Sequence, residues 1–329
     1  MINPKKNLEL KSPCKINVHL KIKDPRPDGY HDLESIFLET AFGDTLNYQL
    51  TENQDESCEI IMNWKHEHDR KAFLQENLPL EKNSIYRAVA VFRNRTGFKQ
   101  GVKISAEKRI PTGAGLGGGS SNAATTLKAM NTLAGTSLSV QHLKEMAEIL
   151  GSDIPFFLYG GAAWVTGRGE DITPVDPPKG LSIVLVYPGF SSNTQEAYRL
   201  LDEVRAKKTK LSAEEKEKIE KDEKNTSGKT PEDLIKTLTE HPAEWRYEND
   251  FLSVFLEQGS EERKEAYRST LEELKAAGAD FTGLSGSGSS CFGIFADERK
   301  VKKAKFFQKN ARVEITSTCI VCDRSLELM

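Results

Sequence analysis

Apolar residues recur at every second position in ELKSPCKINVHLKIK, which sets Ile16, Val18, Leu20 and Ile22 on one face. That period of two predicts a half-buried strand. DPRPDGYHD follows, dense in turn formers, and predicts a loop. SIFLETAF, TLNYQL and CEIIMNW each read as a further strand. The spacing then lengthens: SIYRAVAVFRNRTG has helical periodicity and stops at Gly97. GVKISAEKRIP alternates again, as a strand ended by Pro111. Beyond a glycine-rich loop, NAATTLKAMNTLAGT reads as a helix, with Ser120, Ser121 and Asn122 as candidate caps and Gly135 as its stop. SVQHLKEMAEILG predicts a second helix from about Ser139. DIPFFLYGG, a strand AAWVTG and a turn RGED come next.

The pattern changes near Pro177 and Pro178. LSIVLVYPG reads as a buried strand, while residues 202–230 are almost solidly charged and predict a solvated helix or a mobile insertion. From 245 onward, helices alternate with the apolar strands SCFGIF and STCIVC. The expected architecture is two α+β domains with a seam near 178–181. No internal repeat stands out.

Composition narrows the class. With 329 residues, 37% hydrophobic and 29% charged, the chain can build a sizeable core in two domains or one large one. A net charge of -3 gives no general reason to bind nucleic acid or an anionic membrane. No apolar run approaches the roughly 18–20 residues of a membrane span. The polar N-terminus MINPKKNLELKSPC lacks the apolar centre of a secretory signal, so the expected compartment is the cytoplasm. Cys14, Cys58, Cys291, Cys319 and Cys322 are odd in number and scattered, which argues against a disulfide framework. Cys319 and Cys322 form a CxxC without a second ligand pair, and they read as strand or core cysteines rather than zinc ligands.

The candidate chemistry starts at Pro111-Thr-Gly-Ala-Gly-Leu-Gly-Gly-Gly-Ser-Ser121. Five glycines between Gly113 and Gly119 strip side chains from the backbone between a strand and a helix. The freed N–H groups and the helix N-terminus can converge on an anion, with polyphosphate as the natural guest. Three other motifs compete. Gly113-x-Gly115-x-x-Gly118 matches the dinucleotide fingerprint, but Lys103, Ser105 and Glu107 alternate along the preceding strand. A parallel dinucleotide-binding strand is continuously apolar, and it is followed by an acidic residue about 20 residues on that is missing here. Protein kinases are excluded by the absence of HRD, DFG and the VAIK lysine strand. Ser227-Gly-Lys-Thr230 looks like the end of a Walker loop but has Glu223 in place of the leading glycine.

PTGAGLGGGSSNAA resembles the ATP loop of the GHMP kinase superfamily, and SPCKINVHL and GLSGSGSSCFGIF resemble its flanking motifs. Within the superfamily, CKINVHLKIKDPRPDGYHDLESIF and GSDIPFFLYGGAAWVTGRGEDITPV resemble the 4-diphosphocytidyl-2-C-methyl-D-erythritol kinase family. Cys14 departs from the alanine usual in that family, and both residues are small. The resemblance spans nearly the whole chain, apart from the charged insertion. It implies a two-domain α+β fold: an N-terminal ATP domain over 1–178 of the ribosomal-protein-S5-domain-2-like type, and a ferredoxin-like α+β domain over 179–329 with the insertion at about 202–230. The implied reaction is ATP-dependent phosphorylation of the 2-hydroxyl of a CDP-linked methylerythritol in non-mevalonate isoprenoid synthesis. Alternatives are another small-molecule GHMP kinase, of homoserine or mevalonate type, and a nucleotide-binding protein without catalysis. The DGYH loop argues against the first, and Lys15 together with Asp153 against the second.

Phosphoryl transfer needs charge neutralised on the γ-phosphate and the acceptor hydroxyl held in line. Lys15 on the first strand can supply the positive charge, and Asp153, opening the turn after a helix, can accept the hydroxyl proton. The resemblance implies that this Lys–Asp pair is catalytic. It assigns ATP to Pro111, Thr112, Gly113, Ala114, Gly115, Leu116, Gly117, Gly118, Gly119, Ser120 and Ser121, with Asn83 and Lys108 at the adenine pocket. It assigns the substrate to Asn17, Tyr30, His31, Thr194 and Tyr198, with Phe190 as a rival to Tyr198 for the second face of the cytosine. The Ser285-Gly-Ser-Gly288 loop is expected to close near the phosphates or the substrate diphosphate. Mg2+ is the expected cation, and no carboxylate cluster advertises its ligands.

Overall fold

The computed structural model describes residues 6–67, 69–71, 79–209, 229–303 and 311–318. Cys319, Cys322 and most of the charged 202–230 stretch lie outside the described residues. Two sheets organise the rest. The first contains β1 (Asn7–Pro25), β2 (His31–Leu50), β3 (Cys58–Trp64), β4 (Val102–Lys108), β5 (Ala162–Thr166) and β6 (Asp171–Val175). Its order is β3-β4-β2-β5-β6, with β1 also paired to β2, and only β3 and β4 run parallel. The second has order β10-β7-β9-β8 and is antiparallel throughout. Its strands are β7 (Ser182–Tyr187), β8 (Phe281–Leu284), β9 (Cys291–Phe295) and β10 (Arg312–Ser317).

Helices α1 (Ser84–Thr96), α2 (Gly118–Ala134), α3 (Val140–Leu150) and the single turn α4 (Phe156–Tyr159) belong to the first half of the chain. In the second half are α5 (Thr194–Thr209), α6 (Pro231–Thr237), α7 (Asp250–Gln258), α8 (Glu261–Ala276) and α9 (Glu298–Lys303). Among the described residues, no helix is long and apolar enough to cross a membrane.

The alternation read in β1 conceals a fully buried central stretch. Every residue from Cys14 to Leu20 is buried, including Lys15, Asn17 and His19. Register shifts at Pro13/Lys15 and Asn17/His19 rotate the strand midway. Ile16 and Val18 therefore pack with Leu181, Ile183 and Ile294 between the two sheets, while Leu20 and Ile22 join the core under α1 and α2. Each such aliphatic side chain contributes about 1.5–3 kcal/mol of burial. Lys15 and Asn17 are inside because they border a cleft rather than open solvent, while His19 packs between the rings of Trp164 and Tyr247.

SIFLETAF and TLNYQL are one strand, not two. At Gly43 a Cβ would sit 2.2 Å from the Ser12 carbonyl oxygen, so glycine lets β1 and β2 stay close through the shift at Pro13/Lys15. Next to it, the buried Asp44 accepts from the Arg109 amide at 2.6 Å and the Ile110 amide at 2.9 Å. This carboxylate holds the end of β4 where the chain enters the glycine loop.

Ser120, Ser121 and Asn122 do not cap α2. The helix begins at Gly118, Gly117 is its N-cap, and no side chain accepts from its first amides. The Ser121 hydroxyl lies 2.7 Å from Ser12 Oγ, and the Asn122 amide donates to Ser12 Oγ at 2.8 Å and Asp44 Oδ2 at 2.9 Å. Tertiary partners have taken these side chains, and the helix N-terminus keeps its orphan donors.

Candidate active site

The glycine loop is a wall between two cavities. Gly115, Gly117 and Ser120 line both. Within the loop the even positions anchor: Ala114 and Leu116 are 1% and 3% exposed, in the core between the sheets. The odd positions Gly113, Gly115 and Gly117 have φ of 64°, 75° and 69°. Only glycine adopts that left-handed region at little cost. Gly115 is also crowded, since a Cβ there would lie 2.1 Å from the Ser285 carbonyl oxygen. The apolar side chains hold the loop down, and the glycines between them leave its backbone bare along the cavity.

The first cavity, of about 570 Å³, lies over the loop and is flanked by Ile60, Met62 and Trp64 of β3 and by Pro79 and Leu80. An apolar slot beside a helix N-terminus suits a flat base joined to a polyphosphate. Thr112 and Gly113 through Gly119 line it, with Pro111 at its edge. Asn83 lines it too, and its Oδ1 accepts from the Ile85 amide at 2.9 Å as the N-cap of α1. Lys108 borders the same cavity, but its ammonium is ion-paired to the buried Asp44 and donates to Asn122 Oδ1 at 2.7 Å. Ser121 is fully buried behind the loop and does not border either cavity.

The second cavity, of about 910 Å³, holds the remaining residues that the sequence singled out: Lys15, Asn17, Tyr30, His31, Asp153, Thr194 and Tyr198. Strand β1 delivers Lys15, and the turn after α3 delivers Asp153. The Lys15 ammonium is 3.5 Å from Asp153 Oδ2, donates to Asn17 Oδ1 at 2.5 Å and sits 4.4 Å from the centre of the Phe37 ring. Lys15 is only 5% exposed at its side chain while Asp153 is 35% exposed, so the carboxylate reaches into the cavity and the ammonium backs it. Two hydrogen bonds tie this pair to the glycine loop. The Lys15 amide donates to Leu116 O at 3.1 Å, and the Asn17 amide donates to Ser285 Oγ at 3.3 Å, which in turn donates to Gly115 O at 2.9 Å.

The Ser285–Gly288 loop thus packs against the back of the first glycine loop, and its Gly286 and Ser287 face the second cavity. Ser287 and Thr194 hydroxyls are 2.9 Å apart there. Tyr30 is 57% exposed, with the Arg168 guanidinium 5.0 Å from its ring centre. The His31 ring packs on Tyr198 at 5.1 Å between centroids, and burial pushes the Tyr198 phenol up to about 12. Phe190, which precedes α5, lies edge-on to Tyr267 at 5.8 Å and does not border the cavity, whereas Tyr198 of α5 does.

Asp44, Arg168 and Asp202 went unnoticed in the sequence. Arg168 lines the second cavity from the RGED turn, where a cation beside a carboxylate reads as an ordinary surface pair. Asp44 and Asp202 each act on residues far away along the chain, and no local pattern carries that signal. Among the described residues, no group of three or more His, Cys, Asp or Glu could hold a metal.

The GHMP kinases N terminal domain family matches residues 83–161, and the GHMP kinases C terminal family matches residues 234–308. The 4-diphosphocytidyl-2-C-methyl-D-erythritol kinase of Treponema pallidum (strain Nichols) is 35% identical over 298 residues, 91% of this chain and 93% of that protein. That of Thermodesulfovibrio yellowstonii is 35% identical over 302 residues, 92% of this chain and 94% of that protein. A crystal structure of 4-(cytidine 5'-diphospho)-2C-methyl-D-erythritol kinase superposes with a TM-score of 0.65 at 26% identity, covering 95% of this chain and all (100%) of that one. A homoserine kinase from Cytophaga hutchinsonii shares the fold, with a TM-score of 0.63 at 17% identity and coverage of 97% and 96%. By these relatives, which match more than nine-tenths of its length, the chain belongs to the 4-diphosphocytidyl-2-C-methyl-D-erythritol kinase family of the GHMP kinases.

Proposed function

We propose that the protein transfers the γ-phosphoryl group of ATP to the 2-hydroxyl of 4-CDP-2-C-methyl-D-erythritol, giving the 2-phosphate and ADP. The observation that carries this reading is the Lys15–Asp153 pair, 3.5 Å apart, in a cavity that shares the glycine-loop wall with the nucleotide cavity. A donor held over the loop and an acceptor held beside Asp153 can meet in line where Gly115, Gly117 and Ser120 border both cavities, and alignment is most of what phosphoryl transfer requires.

In the proposed step, the acceptor hydroxyl attacks the γ-phosphorus, the bond to the bridging oxygen of ADP breaks, and the hydroxyl proton passes to Asp153. Lys15 stabilises the charge that collects on the transferring group, and the loop amides and the start of α2 bind the remaining phosphate oxygens. Mg2+ fits this site as a cation held chiefly by the nucleotide. The Ser120 hydroxyl is a hard oxygen donor beside the loop, and Mg2+ takes most of its ligands from the nucleotide phosphates and water. When bound, it would neutralise phosphate charge.

Tyr30, His31 and Tyr198 would hold the cytosine, and Thr194 and Asn17 the rest of the acceptor. The nucleotide-binding unit is proposed as residues 1–178 and the second unit as 179–329, with His31 and Tyr198 meeting across that division. The test is ADP release over a panel of acceptors: the CDP-linked methylerythritol, mevalonate, homoserine and galactose. Turnover confined to the CDP-linked substrate is expected. Faster turnover of another panel member would refute the assignment.

A further inference from the structure

Among the described residues, His31 makes one side-chain hydrogen bond, and its direction fixes the chemistry of the ring. Its Nε2 lies 2.9 Å from Oδ1 of Asp202. An ionised carboxylate only accepts, so Nε2 must carry the proton. Asp202 stands one helical turn beyond Tyr198 on α5, so the two share a face of that helix. Tyr198 packs against the imidazole ring while Asp202 holds its edge. The His31 side chain is 5% exposed, and no partner for its Nδ1 is found among the described residues. His31 borders the second cavity, as do Tyr198 and Asp202.

We infer that Asp202 is a positioning residue that makes the acceptor site select cytosine over uracil. The inference rests on the proposed cytidine substrate and deepens it. With Nε2–H donated to Asp202, an imidazole that carries a single proton keeps its lone pair on Nδ1, the ring nitrogen that Asp202 leaves open at the cavity border. A lone pair accepts from the exocyclic amine of cytosine. Uracil carries a carbonyl oxygen at that position, so two acceptors would face each other without a proton between them. An unmet buried polar group is costly, which turns one hydrogen bond into base discrimination. Nothing in Asp202 touches the reacting atoms, so its effect belongs to acceptor binding and not to transfer.

The test compares wild type with Asp202→Ala and Asp202→Asn. Three quantities are read: kcat/KM for the CDP-linked substrate and its UDP-linked analogue, KM for ATP, and the His31 tautomer by 15N NMR at mildly alkaline pH. In wild type, His31 is expected as the Nε2–H tautomer, with the CDP-linked substrate preferred. Asp202→Ala is expected to narrow that preference about tenfold. It should do so mainly through the KM of the CDP-linked substrate, with a mixed tautomer and an unchanged KM for ATP. Asp202→Asn keeps an acceptor oxygen and should recover part of the preference. A preference unchanged in Asp202→Ala, or an equal loss for both acceptors, would overturn the inference. So would an Nδ1–H tautomer in the wild-type protein, a result independent of how any variant folds. If wild type fails to phosphorylate the CDP-linked substrate, the functional assignment itself falls. CDP and UDP binding to the wild-type and variant proteins then still judges the role of Asp202, and equal affinity for the two in wild type rejects it.

Discussion

Replacing Gly115 by alanine should damage both stability and catalysis, and Gly135→Ala isolates why. Both glycines have positive φ, 75° and 63°, so a methyl group costs each about 1–2 kcal/mol of backbone strain. Their surroundings differ. Around Gly135 a Cβ meets nothing within 4 Å, whereas at Gly115 it lies 2.1 Å from Ser285 O and 2.9 Å from Gly288 O. Carbon and oxygen cannot pack so closely, and the two glycine loops must part by roughly 1 Å. That separation would pull on the Ser285 Oγ to Gly115 O bond and, through Ser285, on Asn17 and the Lys15–Asp153 pair. A misplacement of about 1 Å in a phosphoryl-transfer site costs on the order of 100-fold in rate. The expected outcome is that Gly135→Ala loses about 1–2 kcal/mol in denaturant unfolding with kcat/KM intact. Gly115→Ala should lose more than that and also drop kcat/KM about 100-fold. Equal stabilities for the two variants, together with full activity in Gly115→Ala, would refute the role given to loop-on-loop packing.

Asp153→Ala should lower kcat by about 10²–10⁴-fold and leave ATP binding nearly unchanged, because the carboxylate acts on the acceptor side; steady-state kinetics with a nucleotide-binding titration checks this. Tyr30→Ala should raise KM for the cytidine substrate more than for ATP, and the reverse pattern would remove its cytosine role. Lys108→Ala should act on stability before nucleotide affinity, since it strands the fully buried Asp44; the loss expected in denaturant unfolding is about 3–5 kcal/mol. His19 is buried and its Nε2 has no partner among the described residues, so burial lowers it from 6.5 to about 4. Between those values the unfolded chain binds the proton and the folded one does not, so stability should fall as pH drops from about 6.5 towards about 4. Unfolding midpoints against pH for wild type and His19→Gln should show that dependence weakened in the variant.

The sequence by itself determined the periodicities, and with them most of the elements. Helices ending at Gly97 and Gly135, the helix starting after Ser139 and the strands around the glycine loop are all set by neighbours a few residues apart. It also determined which loop could receive a polyphosphate, because five glycines beside a helix N-terminus are a local fact. Lys15, Asp153, Tyr30 and His31 were nameable only through resemblance, since each taken alone is an ordinary strand, turn or loop residue. The tertiary structure decided what lay between distant segments. It joined two predicted strands through Gly43, where β1 comes close, and buried both faces of β1 from Cys14 to Leu20, where its register shifts. It withdrew Ser121 and Asn122 from capping, because Ser12 and Asp44, more than 70 residues away, offered better partners (|i−j| of 109 and 78). It committed Lys108 to Asp44 and set Asp202 against His31, 171 residues apart. Local pattern fixes backbone conformation because it depends on neighbouring dihedrals and caps. The partner of a buried charge depends on which segments the fold brings together, and that is set only when the two sheets and their helices close around the loop.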